Sequence, residues 1–251
     1  MKSVTNYALP VIFGTIVIAA WHAICTFFRL PDYLIPTPAA VLRVVVYDFG
    51  YLLDNSRVTI LEAVLGLLMA LTFGFVSGVI FANVWSVRKM VLPYFIASQA
   101  VPIVAVAPLF ILWFGNGLAS KVCMAALIGF FPMTVNTSKG LISVDPRQID
   151  LFRINAASQW QIFEKLRLPA SVGYVMSGMR VSAALAMIGA IVAEYAGSDR
   201  GIGYLIMQAT YRLDTPLLFA AILFSVVGGL LIFGAVVFVD RMFFAKYSAA
   251  E

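Results

Sequence analysis

Six stretches of this chain are long and apolar enough to cross a lipid bilayer as helices, at about 8–28, 58–84, 91–114, 119–135, 172–196 and 217–239. A helix rises ~1.5 Å per residue, so spanning ~30 Å of hydrocarbon takes about 20 residues. Composition agrees: 62% of the 251 residues are hydrophobic and 12% charged, against ~45–50% and ~25% in soluble domains. A soluble globular fold, a disordered chain and a disulfide scaffold are excluded. The expected architecture is an all-α membrane protein with one transmembrane domain over 1–251. The longest polar remainder, 138–170, is too short for a soluble catalytic domain.

Details within the spans sharpen this. The third carries Pro93, Pro102 and Pro108 and is expected to be kinked or broken, and Pro132 lies near the end of the fourth. The first follows Lys2, yet it is longer than a signal-peptide core and ends in Phe27-Phe28-Arg29, so it reads as a retained anchor. Cys25 and Cys123 sit inside apolar segments and suit neither a disulfide nor a metal site. The Gly74-Phe75-Val76-Ser77-Gly78 run suggests close helix packing, and His22 reads as an interfacial or packing residue.

Basic residues set the orientation. With both termini inside, the cytoplasmic side holds Lys2, Arg88, Lys89, Lys139, Arg147, Arg153, Lys165, Arg167, Arg241 and Lys246. The outer side then holds Arg29, Arg43, Arg57, Lys121, Arg200 and Arg212, a smaller set, which favours cytoplasmic termini. The net charge of +5 is thereby a topology signal and requires no nucleic-acid partner. Outside the membrane, 29–57 starts with Leu34-Ile35-Pro36-Thr37-Pro38 and continues with Val41, Leu42, Val45 and Val46 at helical spacing, a short surface helix. A second outer connection, 197–216, contains Gly197, Gly201 and Gly203 and is expected to dip partly into the membrane.

The inner segment 138–170 is the most informative. Asp145-Pro146 is a strong helix start, with Gln148 three residues after the cap. Ile149, Phe152, Ala156, Trp160 and Phe163 then recur at helical spacing, and Ser158 with Gln161 suits the cap of a second, separate helix ending before Pro169. Two short helices meeting near Ala156, Ala157 and Ser158 are expected.

The spacing Asp150-Leu151-Phe152, three residues, Ala156, nine residues, Leu166, one residue, Leu168-Pro169 resembles the EAA loop of ABC importer permeases. In that loop Glu-Ala-Ala is followed at the same intervals by Gly, Ile and Leu-Pro. Ala156 stands where the family has Gly, and a gentle bend is expected there rather than a left-handed backbone. Ala97-Ser98-Gln99-Ala100-Val101-Pro102, Leu112-Trp113-Phe114-Gly115, Val192-Ala193-Glu194-Tyr195 and Gly201-Ile202-Gly203-Tyr204 extend the resemblance, towards the nitrate, sulfonate and taurine branch.

The resemblance implies a type I ABC importer permease in a bacterial-type inner membrane, surrounded by lipid. It implies a second permease copy, ABC ATPase subunits that bind ATP and Mg, and an extracytoplasmic solute-binding protein. It makes Asp150, Ala156, Ala157, Ser158, Trp160, Gln161, Phe163, Leu168 and Pro169 the ATPase-coupling set, with Trp160 and Phe163 as anchors. No GxxxxGK[ST] occurs, so no nucleotide or other cofactor is expected on this chain, nor a catalytic residue.

Ionisable groups within membrane spans are default functional candidates. Arg180 is expected either to snorkel inward or to face the interior of a dimer. Glu194, at the outer end of its span, is expected to be solvated, to pair with Arg200 or Arg212, or to contact substrate. Glu62 reads as an interfacial carboxylate or a pathway residue, and Gln99, beside Pro102, as a pathway group or a support for the bend. Glu62, Gln99, Arg180 and Glu194 form the candidate translocation set. A secondary transporter would need ion-coupling groups at the midplane, and a membrane enzyme a catalytic constellation; neither is evident. Thr59-Ile60-Leu61-Glu62, Ala97-Ser98-Gln99-Ala100 and Leu213-Asp214-Thr215-Pro216 resemble permeases for pyrimidine precursors or riboflavin more than those for sulfonates or nitrate.

Overall fold

In the computed structural model of the protein, the backbone is described for residues 2–243 and side chains for 8–242. Lys246 and both termini lie outside the described side chains. The described chain is a succession of helices: α1 (Lys2–Phe27), α2 (Pro38–Tyr47), α3 (Phe49–Asn83), α4 (Trp85–Ser98), α5 (Ile103–Phe114), α6 (Leu118–Ile142), α7 (Pro146–Ile154), α8 (Gln159–Ile162), α9 (Leu168–Ala196), α10 (Ile202–Arg212) and α11 (Thr215–Phe243). Five spans are continuous and apolar, Ala8–Phe27, Phe49–Asn83, Leu118–Ile142, Gln159–Ala196 and Thr215–Met242. The sixth is α4 with α5, bent by 101° at a short break.

The break has a local cause. Pro102 has no N–H to donate, and the preceding residues close tight turns instead, Gln99 N–H to Ile96 O at 3.1 Å and Val101 N–H to Ser98 O at 3.3 Å. Pro93, Pro108 and Pro132 lie inside helices that continue through them.

The core is the α3–α6–α9 triplet, and small residues let it close. A Cβ on Gly66 would meet Ala125 Cβ at 2.4 Å, one on Gly74 would meet Met133 Cβ at 2.7 Å, and one on Gly78 would meet Thr137 Cβ at 2.5 Å. Association of helices in lipid depends on such close van der Waals fit, because lipid tails are as apolar as the helices. Ala63, Ala125, Ala183, Ala186 and Ala190 fill the same seam. By contrast, α4 has no buried residue and α5 only Ala107.

The outer segments pack more than expected. The second span starts at Phe49 rather than 58, because Asp48 ends α2 and α3 follows at once. As the Pro-rich start suggested, α2 is capped by Thr37 Oγ1, which accepts from Ala40 N–H at 3.2 Å. Val41 of α2 joins Leu52, Ile202, Leu205, Ala209, Leu217 and Ala221 in a second apolar cluster, so α10 rests on α11 and α3 instead of forming a loose loop.

The segment 138–170 also departs from expectation. At Ala156 φ is +55, a left-handed backbone and not a gentle bend. A non-glycine residue there costs about 1–2 kcal/mol. Nor does the second helix stop before Pro169. It runs from α8 through a π-helical turn, Phe163–Arg167, directly into α9. The wider turn lets Leu168 N–H bond to Phe163 O, and Pro169, whose missing N–H would break a regular interior, falls in the first turn of α9, where it is tolerated.

Candidate functional site

Three regions carry the candidate residues. At the outer end of the core, Asn55, Thr59 and Glu62 line one face of α3 at intervals of four and three residues, directed at the end of α9 and the start of α10. Glu194 is fully buried and accepts from Thr59 Oγ1–H at 2.7 Å and from Gly203 N–H at 2.6 Å. Thr59 Oγ1 in turn accepts from Ile202 N–H at 2.8 Å, and Asn55 Oδ1 accepts from Gly201 N–H at 2.8 Å. The first amides of α10, which no earlier turn can satisfy, are thus capped by side chains from α3 and α9. Gly201 has φ +104, and a Cβ there would meet the Glu194 carboxylate at 2.1 Å, so only glycine fits.

Glu62 faces Glu194 and is 4% exposed, with its Oε2 unpartnered. Lys121, counted above among outer-loop cations, is 1% exposed inside α6. Its Nζ donates to Asn116 O and Oδ1, each at 2.7 Å, and makes no ion pair with either carboxyl group. Glu194 is therefore neither solvated nor paired with Arg200 or Arg212. Arg200 reaches Asp199 instead, at 3.7 Å. The physical reason is that three helices close over the carboxylate before the outer connection begins.

Arg180 keeps part of its side chain exposed, and its Nη2 donates to Asp240 Oδ2 on α11. Asp240 and Lys121 were missed as intramembrane charges because each sits at the margin of an apolar run, where a flanking loop is the default reading. Asn55 was missed because the second span was started too late, and Thr59, inside it, because a hydroxyl in an apolar span carries no charge; the spacing of four and then three residues from Asn55 through Thr59 to Glu62 was the available signal.

The second region is the segment 145–169. Asp145 Oδ1 accepts from Arg147 N–H at 2.9 Å and starts α7 as expected. Ser158 and Gln161 form a capping box, Gln161 N–H to Ser158 Oγ at 3.2 Å and Ser158 N–H to Gln161 Oε1 at 2.8 Å. Asp150 makes an exposed ion pair with Arg153 at 3.3 Å. Trp160 is 68% exposed and stacks at 5.6 Å on Phe163, which is half-buried. Leu151 and Ile154 of α7 are also exposed, an addition to the expected set. Leu168 and Pro169 instead face inward, lining a cavity of about 340 Å³ with Phe75 and Met176.

The third region is the α4–α5 break. Gln99 borders two cavities, of about 820 Å³ and about 360 Å³. The larger also meets Arg88, Asn136, Lys139 and Tyr174, the smaller Val106, Ile128 and Leu185. A further apolar cavity of about 300 Å³ lies between Phe73, Trp113 and Cys123. Glu62, Arg180 and Glu194 line none of these four.

A multi-pass helical membrane protein with a broken span and a capped helix pair outside the apolar core is the class defined by this geometry. Residues 64–244 match the family described as "Binding-protein-dependent transport system inner membrane component", and the chain belongs to that family. It is 32% identical to the formylaminopyrimidine transport permease protein ThiX of Halalkalibacterium halodurans, covering 90% of this chain and 91% of that one. It is 35% identical to the riboflavin transport system permease protein RibX of Chloroflexus aurantiacus, covering 80% and 76%. Its fold is similar to that in an inward-facing structure of the MetNI methionine ABC transporter, with a TM-score of 0.67 at 14% identity, covering 77% of this chain and 96% of that one. The protein is the inner-membrane permease subunit of an ATP-driven ABC importer of type I fold. It is not an enzyme, and it works with an ATPase and a solute-binding protein.

Proposed function

We propose that the segment 145–169 docks on the partner ATPase, that ATP and Mg bind to that partner, and that a second copy of this chain completes the pathway. Both termini then lie in the cytoplasm and lipid surrounds the outer helices. The observation that carries the docking assignment is the exposed Trp160–Phe163 pair on a helix continuous with α9. An aromatic anchor left 68% exposed on a capped helix suits burial by a partner. Because α8 has no hinge before α9, movement of the ATPase would be delivered straight to the core helix.

The unpacked α4–α5 pair is the surface on which a second copy would fit, with Gln99 on the pathway. Of the four translocation candidates, Gln99 keeps that assignment. Glu62 and Glu194 are assigned to holding the outer connection, and Arg180 to tying α9 to α11. The solute is a pyrimidine-type vitamin precursor or riboflavin, as the names of the two relatives suggest, or a sulfonate- or nitrate-type anion.

The test is uptake into proteoliposomes holding permease, ATPase and binding protein. Uptake is expected to require ATP and the binding protein and to persist when ion gradients are dissipated. Uptake driven by an ion gradient without ATP would instead indicate a secondary transporter.

A further inference from the structure

The two cavities beside the α4–α5 break share one wall, made of Gln99, Phe131 and Pro132. Phe131 is held in place from behind by Phe95, with ring centroids 4.6 Å apart, and Phe95 in turn contacts Phe81 at 5.7 Å. The wall is therefore built from the end of α4 and the middle of α6. On either side of it the chemistry differs. Arg88, in the first turn of α4, and Lys139, in the last turn of α6, stand at one end of the larger cavity. Gln99 closes the other end, eleven residues along from Arg88, or about 16 Å by helical rise. Beyond the wall, the smaller cavity has no charged side chain in its lining; its polar groups are Ser98 and Gln99, and its walls are aliphatic and aromatic.

Building on the importer reading, in which a second copy covers the exposed face that carries Ser98, Gln99 and Val101, we infer that Gln99 and Phe131 form a partition between a basic vestibule and an uncharged chamber, and that this chamber accepts flat, neutral heteroaromatic solutes and not compact anions. The smaller cavity, about 360 Å³, lies within the ~300–1,000 Å³ typical of small-molecule sites. Apolar walls take the faces of a ring, while the Gln99 amide supplies a donor and an acceptor side by side, matching the amide-like edge of a pyrimidine or a flavin. A sulfonate or nitrate remains ionised, and in this chamber its charge would meet no cation of this chain, a costly position at membrane depth. The vestibule cations would then act after the partition, at the mouth.

The experiment uses the permease–ATPase complex in lipid nanodiscs, without binding protein, so that selectivity is read from the permease itself. Cys25 and Cys123 are replaced by Ala, and Val106→Cys, on the chamber wall, reports access through its rate of labelling by a small thiol reagent. Leu112→Cys, on the exposed face of α5, is the control. Riboflavin and formylaminopyrimidine are expected to slow labelling of Val106→Cys at least fivefold and to leave Leu112→Cys unchanged, while taurine slows neither. Adding Gln99→Ala should raise the concentration needed for protection about tenfold, as expected for losing one or two hydrogen bonds. Protection by taurine equal to that by the ring compounds, protection by none of them, or protection unaltered by Gln99→Ala would overturn the inference. ATP-dependent uptake by the same variant complex, measured in parallel in proteoliposomes supplied with the binding protein, separates the two readings: unprotected Val106→Cys in a complex that still imports overturns the partition and leaves the importer assignment standing.

Discussion

The α3–α6–α9 triplet and the α4–α5 pair are both apolar, yet one is packed to the point where a glycine Cβ finds no room and the other buries almost nothing. The difference lies in residue size and not in hydropathy. Gly66, Gly74 and Gly78 face Ala125, Met133 and Thr137 across the core seam, while α4 and α5 present Tyr94, Ile96, Leu112 and Trp113 outward. In a membrane, large apolar side chains face lipid or a partner, and small ones mark where helices of the same chain meet. Within one subunit, the rigid part and the part available to a pathway are thus distinguished by small-residue placement and proline.

This contrast can be broken by substitution. The largest effect is expected from Gly78→Leu, which forces a side chain into Thr137 and the Thr134 carbonyl; the variant should fail to give a monodisperse permease in detergent, whereas Leu112→Ala on α5 should purify as the native protein does. Next comes Glu194→Ala, which strips two donors, Thr59 Oγ1–H and the α10-capping Gly203 N–H, of their acceptor. A loss of about 3–5 kcal/mol is expected for breaking such a buried charged network, read as a lowered thermal midpoint. Glu194→Gln keeps an acceptor for Gly203 and should lose less. Smallest is Ala156→Gly, which relieves the left-handed strain and should stabilise the α7–α8 connection by about 1 kcal/mol or less, read by hydrogen exchange of that segment.

Much of this was legible in the sequence, unevenly. The spans, the proline-broken third span, the Ser158–Gln161 capping box and the small-residue packing at Gly74 and Gly78 follow from local rules of length, capping and size, and the structure contains them. What was not readable depends on tertiary closure. Nothing local says that Glu194 turns inward to cap α10, that Lys121 is covered, or that Asp240 reaches Arg180 from sixty residues away. Nor does local preference foresee Ala156 in a left-handed backbone, since alanine avoids that region unless the surroundings impose it. Pro169 likewise suggested a helix end, and a π-helical turn instead carries the helix past it.

The central claim is that motion enters this subunit through Trp160 and Phe163. It is tested most directly by ATP-dependent solute uptake in proteoliposomes carrying the Trp160→Ala, Phe163→Ala double variant with its ATPase and binding protein. Membrane insertion and thermal stability should match those of the native protein, because Trp160 is exposed and Phe163 only half-buried. Uptake should fall at least tenfold, together with ATPase association. Native uptake and native ATPase association in that variant would contradict the account.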